Sequence, residues 1–266
     1  MDWTPTLCLA AVRHGAAGGA DMLRALPEEA PVAIVCNGTT QAVMMATPAD
    51  IADFAHGFAL TEGIVRSAED VLEFEEVRQD TGIEARLWLP AERAEGLAER
   101  RRVMAGPVGC GLCGIDSLAQ ALRPLPPVAS DLRLTVAQVQ RAPEALRARQ
   151  PLQDETRATH AAGFLVPDRG IVLVREDVGR HNALDKLIGA LLRHGLDPAQ
   201  GAVVMTSRIS VELVQKCAVA GCPVLIAVSA PTAHAVRLAD GAGITLAALV
   251  RGDGFEIFAH PWRILP

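Results

Sequence analysis

The sequence predicts an α/β protein with two units, a C-terminal α/β domain built on a mainly parallel sheet and a smaller N-terminal α+β domain. After residue 131, apolar segments of strand length alternate with segments of helical spacing, which is typical of a sheet covered by helices. Before residue 105, short strands of alternating polarity surround one amphipathic helix. A chain of 266 residues can bury a core in each unit.

The N-terminal unit, residues 1–104, contains three clear local signals. Asn37-Gly38 separates two apolar runs and predicts a hairpin with a two-residue turn. Apolar residues at helical spacing from Asp50 to Glu62, followed by Gly63, predict a helix that ends at a glycine. The segments 71–78 and 83–90 alternate like half-buried strands.

Residues 105–131 are predicted to be a mobile loop and linker, because a glycine-rich stretch, AGPVGCGLCG, begins them and a proline-rich stretch, RPLPPVASD, ends them. The C-terminal unit, residues 132–266, starts with a predicted helix over 135–149. The alternating elements that follow are strands at 161–167, 170–177, 202–207, 223–229 and 244–251, and helices that begin at Asn182, Val211 and Ala233.

The composition excludes some classes of partner. A net charge of −6 and a pI near 5.7 provide no basic surface that would neutralise the phosphates of a duplex, so we expect no nucleic-acid partner. The first residues lack a basic segment followed by an apolar run, and no run reaches the roughly 18 apolar residues of a membrane span. We therefore expect a cytoplasmic protein without a membrane segment.

The six cysteines are too few in a chain of this length to form a disulfide framework. Cys8 and Cys36 are typical of small buried hydrophobes. Cys110 and Cys113 differ, because the glycines beside them provide no side chains to pack around. This CxxC pair has four interpretations: half of a zinc site completed by Cys217 and Cys222, a thioredoxin-type dithiol, a sulfur carrier, or a pair kept for packing.

The surroundings of the CxxC pair favour the sulfur carrier. Structural zinc usually needs two such pairs, and a thioredoxin-type motif would follow an early strand rather than lie between two domains. A sulfur carrier needs an exposed, mobile thiolate; the glycines allow mobility, and nearby arginines and a helix start favour the thiolate. We predict that Cys110 bears the persulfide and that Cys113 attacks it to help release the sulfur.

Three strand-to-helix junctions carry polar residues, at 206–210, 229–233 and 176–182. In parallel sheets, loops at the carboxyl ends of strands line the ligand crevice, and free N–H groups at helix starts bind anions. The hydroxyls and Arg208 suit a phosphate. An ordinary helix cap explains each junction alone, but together the junctions favour a nucleotide-like ligand.

A further segment ends the last strand of the alternation and combines an arginine with glycines. Arg251 can hold a phosphate, and Asp253 can accept hydrogen bonds from a guanine edge. A plain hairpin turn explains the same residues equally well. The segment consists of Leu249, Val250, Arg251, Gly252, Asp253 and Gly254.

Several stretches of the chain, taken in order, resemble the FdhD family, the formate dehydrogenase accessory sulfurtransferases. They are FAHGFALTEGI, VGCGLCGIDSL, REDVGRHNALDKLIG, SRISVELVQK, CPVLIAVSAPTAHAVRLAD and LVRGDGFEIF. The resemblance extends over nearly the whole chain, and it is far more specific than a lone CxxC motif.

The resemblance implies a sulfurtransferase in which a cysteine desulfurase charges Cys110. The sulfur would then pass to the molybdenum bis(molybdopterin guanine dinucleotide) cofactor before that cofactor enters formate dehydrogenase. Residues 249–254 match the family's cofactor-binding segment, and a guanine nucleotide such as GDP is expected to occupy the same site. Family members have a second domain like cytidine deaminases and form homodimers, so we expect both features here.

Two positions depart from the family pattern. Arg157-Ala158 stands where a glycine pair is frequent, and Ser207 stands where glycine is usual. Side chains at these positions can narrow the ligand crevice and change its affinity for the cofactor. Cys110 and Cys113 are both retained.

Two other functions compete with sulfur transfer. A zinc deaminase needs a His-x-Glu pair and a Pro-Cys-x-x-Cys pair. His160 is followed two positions later by Ala162, and Pro107 does not directly precede Cys110, so we expect neither deaminase activity nor a bound metal. The second competitor is a chaperone that binds the cofactor or docks on formate dehydrogenase without transferring sulfur; cysteine chemistry separates it from a carrier.

Overall fold

The computed structural model describes residues 3–15, 18–93 and 125–266, and the element bounds below refer to these ranges. The strands are β1 Thr6–Gly15, β2 Gly18–Pro27, β3 Ala30–Cys36, β4 Thr39–Ala46, β5 Glu73–Gln79, β6 Gly82–Trp88, β7 Leu134–Thr135, β8 His160–Val166, β9 Gly170–Asp177, β10 Ala202–Met205, β11 Val224–Ala227, β12 Thr245–Arg251, β13 Gly254–Ala259 and β14 Ile264–Leu265. The α-helices are α1 Ile51–Thr61, α2 Val136–Arg147, α3 Pro151–Thr156, α4 Arg180–Arg193, α5 Val211–Ala220 and α6 Ala233–Ala242. Short 3-10 turns lie at Ala68–Asp70, Pro198–Gln200 and Pro261–Arg263.

A four-stranded sheet and helix α1 form the N-terminal core. The strand order is β4-β3-β6-β5, with β3 parallel to β6 and the other pairs antiparallel. The hairpin between β3 and β4 turns at Asn37-Gly38, both of which have positive φ, as a two-residue turn requires. The predicted hairpin, the predicted helix and both predicted half-buried strands are confirmed.

A long antiparallel ribbon of β1 and β2 precedes this sheet, with Thr6 opposite Pro27 and Gly15 opposite Gly18. Most of its side chains are exposed, including that of Cys8. The prediction that Cys8 is a buried hydrophobe was therefore wrong, because in the part of the chain that is described β1 pairs with β2 alone. The prediction is confirmed for Cys36, which lies in the core.

The C-terminal sheet has six strands in the order β13-β12-β11-β10-β8-β9. Strands β10, β11 and β12 are parallel at its centre, whereas the pairs β8–β9, β8–β10 and β12–β13 are antiparallel. The prediction of a mainly parallel sheet was therefore wrong for the sheet as a whole. The connections of two or three residues inside the two hairpins are too short for the crossover that a parallel pair needs.

The order of elements in this unit is as predicted, with the short helix α3 and the strands β7, β13 and β14 in addition. Side chains alternate between the two faces of the sheet. On one face, Val203 of β10 and Leu225 of β11 pack into a core that α4, α5 and α6 cover. On the other face, Val204 and Ile226 share a core with residues of α2. In the ranges given above, no helix combines the length and apolar character needed to cross a bilayer.

The two units meet where α1 crosses α4 at very close range. A Cβ atom on Gly57 would overlap the carbonyl oxygen of Asp185, and one on Gly189 would overlap the carbonyl oxygen of Asp53. Only glycine allows the two backbones to approach this closely. The two glycines, one from each unit, therefore set the distance between the helices.

Buried charges surround this crossing. The Lys216 ammonium contacts the Asp185 carboxylate at 2.9 Å, and both residues are buried, with Lys216 8% exposed and Asp185 2% exposed. The hydroxyl of Thr61, from α1, donates to Asp185 at 2.8 Å. On the other side of the crossing, Asp53 of α1 accepts from Arg175 and Arg193 of the C-terminal unit. These polar contacts hold α1 against the C-terminal unit, in addition to the close packing of α1 on α4.

Substitution of Gly189 by alanine tests the crossing. We expect Gly189→Ala to lower the free energy of unfolding by about 3 kcal/mol or more, because the added methyl group meets backbone that cannot rotate away. Gly241→Ala is the matched control, since a Cβ there meets nothing within 4 Å, and it should leave stability unchanged or raise it by up to about 1 kcal/mol. Urea unfolding measures both; equal stabilities would contradict the close crossing.

Removal of the Lys216 charge tests the buried pair. We expect Lys216→Met to destabilise the fold by about 3–5 kcal/mol, because it leaves the Asp185 carboxylate buried without its cation. Adding Asp185→Asn should restore a large part of the loss. Arg147→Met, which breaks an exposed pair with Asp154, should change stability by less than about 1 kcal/mol in the same unfolding experiment. A similar loss for both single variants would show that the pair is not buried.

Candidate functional site at the carboxyl edge of the sheet

Two of the three predicted junctions touch at the carboxyl edge of β10 and β11. The backbone N–H of Ile209 donates to the carbonyl of Ala230 at 3.3 Å, and that of Thr232 donates to the carbonyl of Ile209 at 2.9 Å. These bonds join the loop before α5 to the loop before α6. The N-termini of two helices therefore lie side by side at this edge.

The third junction reaches the same edge. Strand β8 is antiparallel to β10, and β9 is antiparallel to β8, so β9 ends where β10 ends. The first turn of α4 then carries His181, whose Nε2 lies 3.4 Å from the Ser210 hydroxyl and 3.8 Å from a Glu212 carboxylate oxygen. The structure therefore brings all three predicted junctions together.

The carboxylate of Asp177 holds the loop from β9 to α4. One of its oxygens accepts from the N–H of Gly179 at 2.7 Å and from the side chain of Asn182 at 2.9 Å. The other accepts from the N–H of Thr47 at 3.0 Å and contacts the Lys186 ammonium at 2.7 Å. Since Thr47 belongs to the N-terminal unit, both units fix this loop.

The loop is bound to the N-terminal unit at two further points. The N–H of Val178 donates to the Thr47 hydroxyl at 3.1 Å, and the side chain of Asn182 donates to the carbonyl of Met45 at 2.9 Å. The buried side chains of Asp177 and Asn182 are thus both bound by defined partners. The loop consequently presents Arg180 and His181 from a fixed backbone.

The ionisable groups at this edge have displaced pKa values. Burial, and then the neighbouring Arg180 guanidinium, lowers the pKa of His181 to about 4. The same two causes lower the pKa of His160. Burial raises the pKa of Glu212, but its hydrogen bonds, first that of Ser210, outweigh burial and leave the pKa below its ordinary value. At neutral pH both imidazoles are therefore neutral, and the Glu212 side chain is a carboxylate.

The predicted cofactor segment, residues 249–254, is divided between two environments. Leu249 has a positive φ, and its N–H donates to the carbonyl of Ser229 at 3.5 Å, which places it at the carboxyl edge. Val250 is buried. Arg251 pairs with Gly254 across a two-residue turn, and Arg251, Gly252 and Asp253 are exposed. The hairpin-turn interpretation is confirmed, whereas a ligand role for the same segment stays a prediction.

The predicted sulfur-transfer residues, Cys110 and Cys113, lie outside the described residues. Cys217 and Cys222, which the zinc interpretation needs as additional ligands, are both fully buried in the C-terminal core. Burial raises the pKa of the Cys217 thiol well above its ordinary value and that of Cys222 to about 11. Both are therefore protonated core side chains rather than thiolates.

The two departures from the family pattern have local consequences. Arg157 has a φ of 60°, a left-handed conformation that glycine adopts without strain and other residues adopt at a cost. Ser207 is buried, and its hydroxyl donates to the carbonyl of Arg208 at 3.0 Å. Ser207 therefore lies at the carboxyl edge with its hydroxyl already engaged. Their effect on affinity for a ligand stays a prediction.

Sequence reasoning missed the residues that support the site from a distance. Thr47 and Lys186 bind Asp177, but they are 139 residues apart along the chain, and neither belongs to a recognisable motif with the other. Glu212 and His160 were also not singled out as partners of His181. For Glu212 a signal existed, since it lies two residues after the predicted junction 206–210, in the first turn of α5.

Comparisons with known proteins agree on one family. A model of the FdhD/NarQ family matches residues 27–265. The chain is 53% identical over 244 residues to the sulfur carrier protein FdhD of Agrobacterium fabrum, covering 91% of this chain and 90% of that protein. It is 48% identical over 265 residues to the sulfur carrier protein FdhD of Bordetella bronchiseptica, covering 99% and 96%.

A solved structure has the same fold as this chain. The crystal structure of a protein from Desulfotalea psychrophila, provisionally described as a formate dehydrogenase accessory protein, superposes with a TM-score of 0.78. The two chains are 25% identical, and the match covers 98% of this chain and 99% of the other. With the family match over most of its length and relatives near 50% identity, this chain belongs to the FdhD/NarQ family.

Proposed function

We propose that this chain carries sulfur for formate dehydrogenase. The observation that supports the proposal most directly is that relatives named sulfur carrier protein FdhD are 48–53% identical to it over at least nine tenths of its length. The sequence also contains the CxxC pair, flanked by glycines, that such chemistry requires. In this proposal, the chain is a sulfurtransferase, and its reactive group is the Cys110 thiolate.

The first step of the proposed reaction charges Cys110. Its thiolate attacks the terminal sulfur of a persulfide on a cysteine desulfurase, the donor's sulfur–sulfur bond breaks, and the donor leaves as a thiolate. Cys110 then carries the persulfide. The step is a transfer between thiols and needs no external oxidant.

The second step releases the sulfur. The thiolate of Cys113 attacks the Cys110 sulfur, which forms a disulfide between the two cysteines and expels the terminal sulfur as hydrosulfide. The acceptor is the molybdenum of the bis(molybdopterin guanine dinucleotide) cofactor, which is the cargo of this reaction. A small thiol reductant then returns the disulfide to two thiols.

The carboxyl edge of the C-terminal sheet is the proposed place for the nucleotide part of this cofactor. Residues 249–254 begin at this edge with Leu249 and continue to a hairpin tip that exposes Arg251 and Asp253. The residues present fit such a ligand, because the buried Nε of Arg180 has no hydrogen-bond partner among the described residues and three helix N-termini lie at this edge. We expect GDP to bind in the same place.

The remaining parts of the proposal concern partners and location. We expect the chain to act in the cytoplasm, to form a homodimer, and to meet a cysteine desulfurase and formate dehydrogenase in turn. The C-terminal unit is expected to share the cytidine-deaminase fold without deaminase chemistry, because Ala162 stands where a deaminase would have its catalytic glutamate.

A second candidate function is a chaperone that binds the cofactor without transferring sulfur. The arrangement of Arg180, His181 and the helix N-termini favours it, because these groups can bind an anion independently of any cysteine. Sulfur loading separates the two functions.

Replacement of Cys110 tests sulfur carriage. Incubation of the parent chain with a cysteine desulfurase and cysteine should add the mass of one sulfur atom, and Cys110→Ala should abolish the gain because the attacking thiolate is missing. Intact-mass measurement reads both results. Cys8→Ala is the matched control, since Cys8 is an exposed cysteine outside the CxxC pair, and it should load as the parent does.

The same variants can be placed in cells that lack the native protein. Cys110→Ala should fail to restore formate dehydrogenase activity, and Cys8→Ala should restore it. If Cys110→Ala supports full activity, sulfur carriage is disproved and the chaperone takes its place.

Replacement of Asp253 tests recognition of guanine by the hairpin tip. We expect Asp253→Asn to reduce the preference for GDP over ADP roughly tenfold, because the amide retains only one oxygen to accept from the guanine edge. Asp168→Asn, an exposed residue in the turn between β8 and β9, is the control and should keep the parent preference. Calorimetric titration with each nucleotide measures the ratio; an unchanged ratio in Asp253→Asn would assign the tip no role in guanine recognition.

A further inference from the structure

The ribbon of β1 and β2 is long and stands largely in solvent. Its register continues without a break from Thr6 to Gly15, so ten residue pairs give it a length of about 33 Å. Arg24 donates to the carbonyl of Thr156 at 3.1 Å, which holds the middle of β2 against α3 of the C-terminal unit. Most of the other side chains are exposed. Because an isolated two-stranded ribbon is only marginally stable in water, a further contact would stabilise it.

The exposed side chains of the ribbon are unusually apolar. Leu23 is 73% exposed and Val12 is 57% exposed. Four more large apolar side chains of the ribbon are exposed, those of Leu7, Leu9, Met22 and Leu26. Contiguous apolar surface of this kind is rare on monomeric proteins and marks a site of contact with another molecule.

The register divides these side chains between two faces, because residues directly opposite each other in an antiparallel pair lie on the same face. Leu9 is opposite Arg24, so their face is turned toward Thr156 and the C-terminal unit. Ala10 is opposite Leu23, so these two residues lie on the other face. We call this second face the outer face of the ribbon. Its central pairs are Cys8 with Ala25, Ala10 with Leu23, and Val12 with Asp21.

The outer face is self-complementary in shape. Leu23 is large, and it lies beside two small residues, Ala10 across the ribbon and Ala25 on its own strand. When the outer faces of two copies pack about a two-fold axis that runs along the ribbon, Leu23 of each copy lies over Ala10 of the other. A large side chain then meets a small one at both places, as close packing requires.

The charges on the outer face favour a second copy over a lipid surface. Asp21 lies toward the tip, while the pairs nearer the base are uncharged. An apolar centre with a polar rim is typical of protein interfaces. Arg13 and Arg24 both lie on the opposite face, so an anionic membrane would meet a carboxylate and no lysine or arginine.

We infer that the outer face of the ribbon is a contact surface between two copies of this chain, in which Leu23 of each copy packs on Ala10 of the other. The inference rests on the proposed homodimer and names the surface that forms it. The family model matches residues 27–265, so the ribbon lies almost wholly before the part of the chain that this model matches. Membership of the family therefore does not by itself imply this contact.

Sedimentation velocity of the full chain tests the surface. We expect the parent to sediment as a dimer and Leu23→Asp as a monomer, with the dissociation constant raised roughly a hundredfold or more, because the two-fold axis would bury two carboxylates without partners. Leu23→Met should retain the dimer. Leu72→Asp is the matched control, since Leu72 is 68% exposed in the same unit but outside the ribbon, and it should retain the dimer as well.

A crosslinking experiment gives a result that does not depend on how well Leu23→Asp folds. Copies with Leu23→Cys are mixed with copies with Ala10→Cys, both carrying Cys8→Ala, and are treated with a bismaleimide that spans about 10 Å, the distance between packed sheets. Peptide mass analysis should find residue 23 of one copy linked to residue 10 of the other.

The outcomes separate this inference from the proposals on which it rests. A dimer that persists in Leu23→Asp, or the absence of a link between residues 23 and 10, overturns the ribbon contact and leaves the homodimer in place. A monomeric parent overturns both. Sulfur loading is read by intact mass in the same samples, so failure of the carrier proposal is distinguished from failure of the ribbon contact.

Discussion

The crossing of α1 and α4 is the contact on which the rest of the structure depends. Gly57 and Gly189 let two backbones approach to a distance at which any side chain would overlap a carbonyl group. Because the backbones are so close, charged side chains on both helices are shut away from water, and each must find its partner within the protein. Asp53, Asp185 and Lys216 do so: Arg175 binds Asp53 and Lys216 binds Thr61 across the two units, while the pair of Lys216 with Asp185 lies within the C-terminal unit.

This packing extends to the candidate site through Asp177. Its carboxylate is completely buried, and it is balanced by Lys186 of α4 and by the N–H of Thr47 from the N-terminal unit. The bonds fix the backbone just before Arg180. The interface that holds the two units together therefore also sets the position of Arg180. The parallel strands determine only the edge of the sheet at which Arg180 lies.

Local patterns predicted most of the elements, and long-range pairing explains most of what they missed. The Asn37-Gly38 turn and the helix ending before Gly63 follow from a few neighbouring residues, so the sequence alone was sufficient for them. The direction of a strand depends on its partners, which is why the antiparallel pairs of β8 were not foreseen. Cys8 was misjudged for a similar reason, since a strand with one neighbour leaves its apolar side chains exposed.

For the candidate site, too, local patterns predicted some features, and long-range contacts determine the others. The three junctions were predicted from the alternation of strands and helices, and they meet as expected. Arg180 was within one of them, but nothing in the order of residues distinguishes it, with an Nε that has no hydrogen bond in the described part of the chain, from Arg193, which is paired with Asp53. That difference arises only when Asp53 is placed beside one arginine and not beside the other.

The bond between Thr47 and Asp177 limits how this protein can be divided or recombined. A fragment that began after the linker would keep the whole C-terminal sheet, yet it would lose one hydrogen-bond donor to Asp177 and expose the face of α4 that α1 covers. A chimera that joined the first unit of one relative to the second unit of another would have to preserve both glycines and Thr47 to retain the same register. We therefore expect that the two units must be kept together as a matched pair when the protein is divided or recombined.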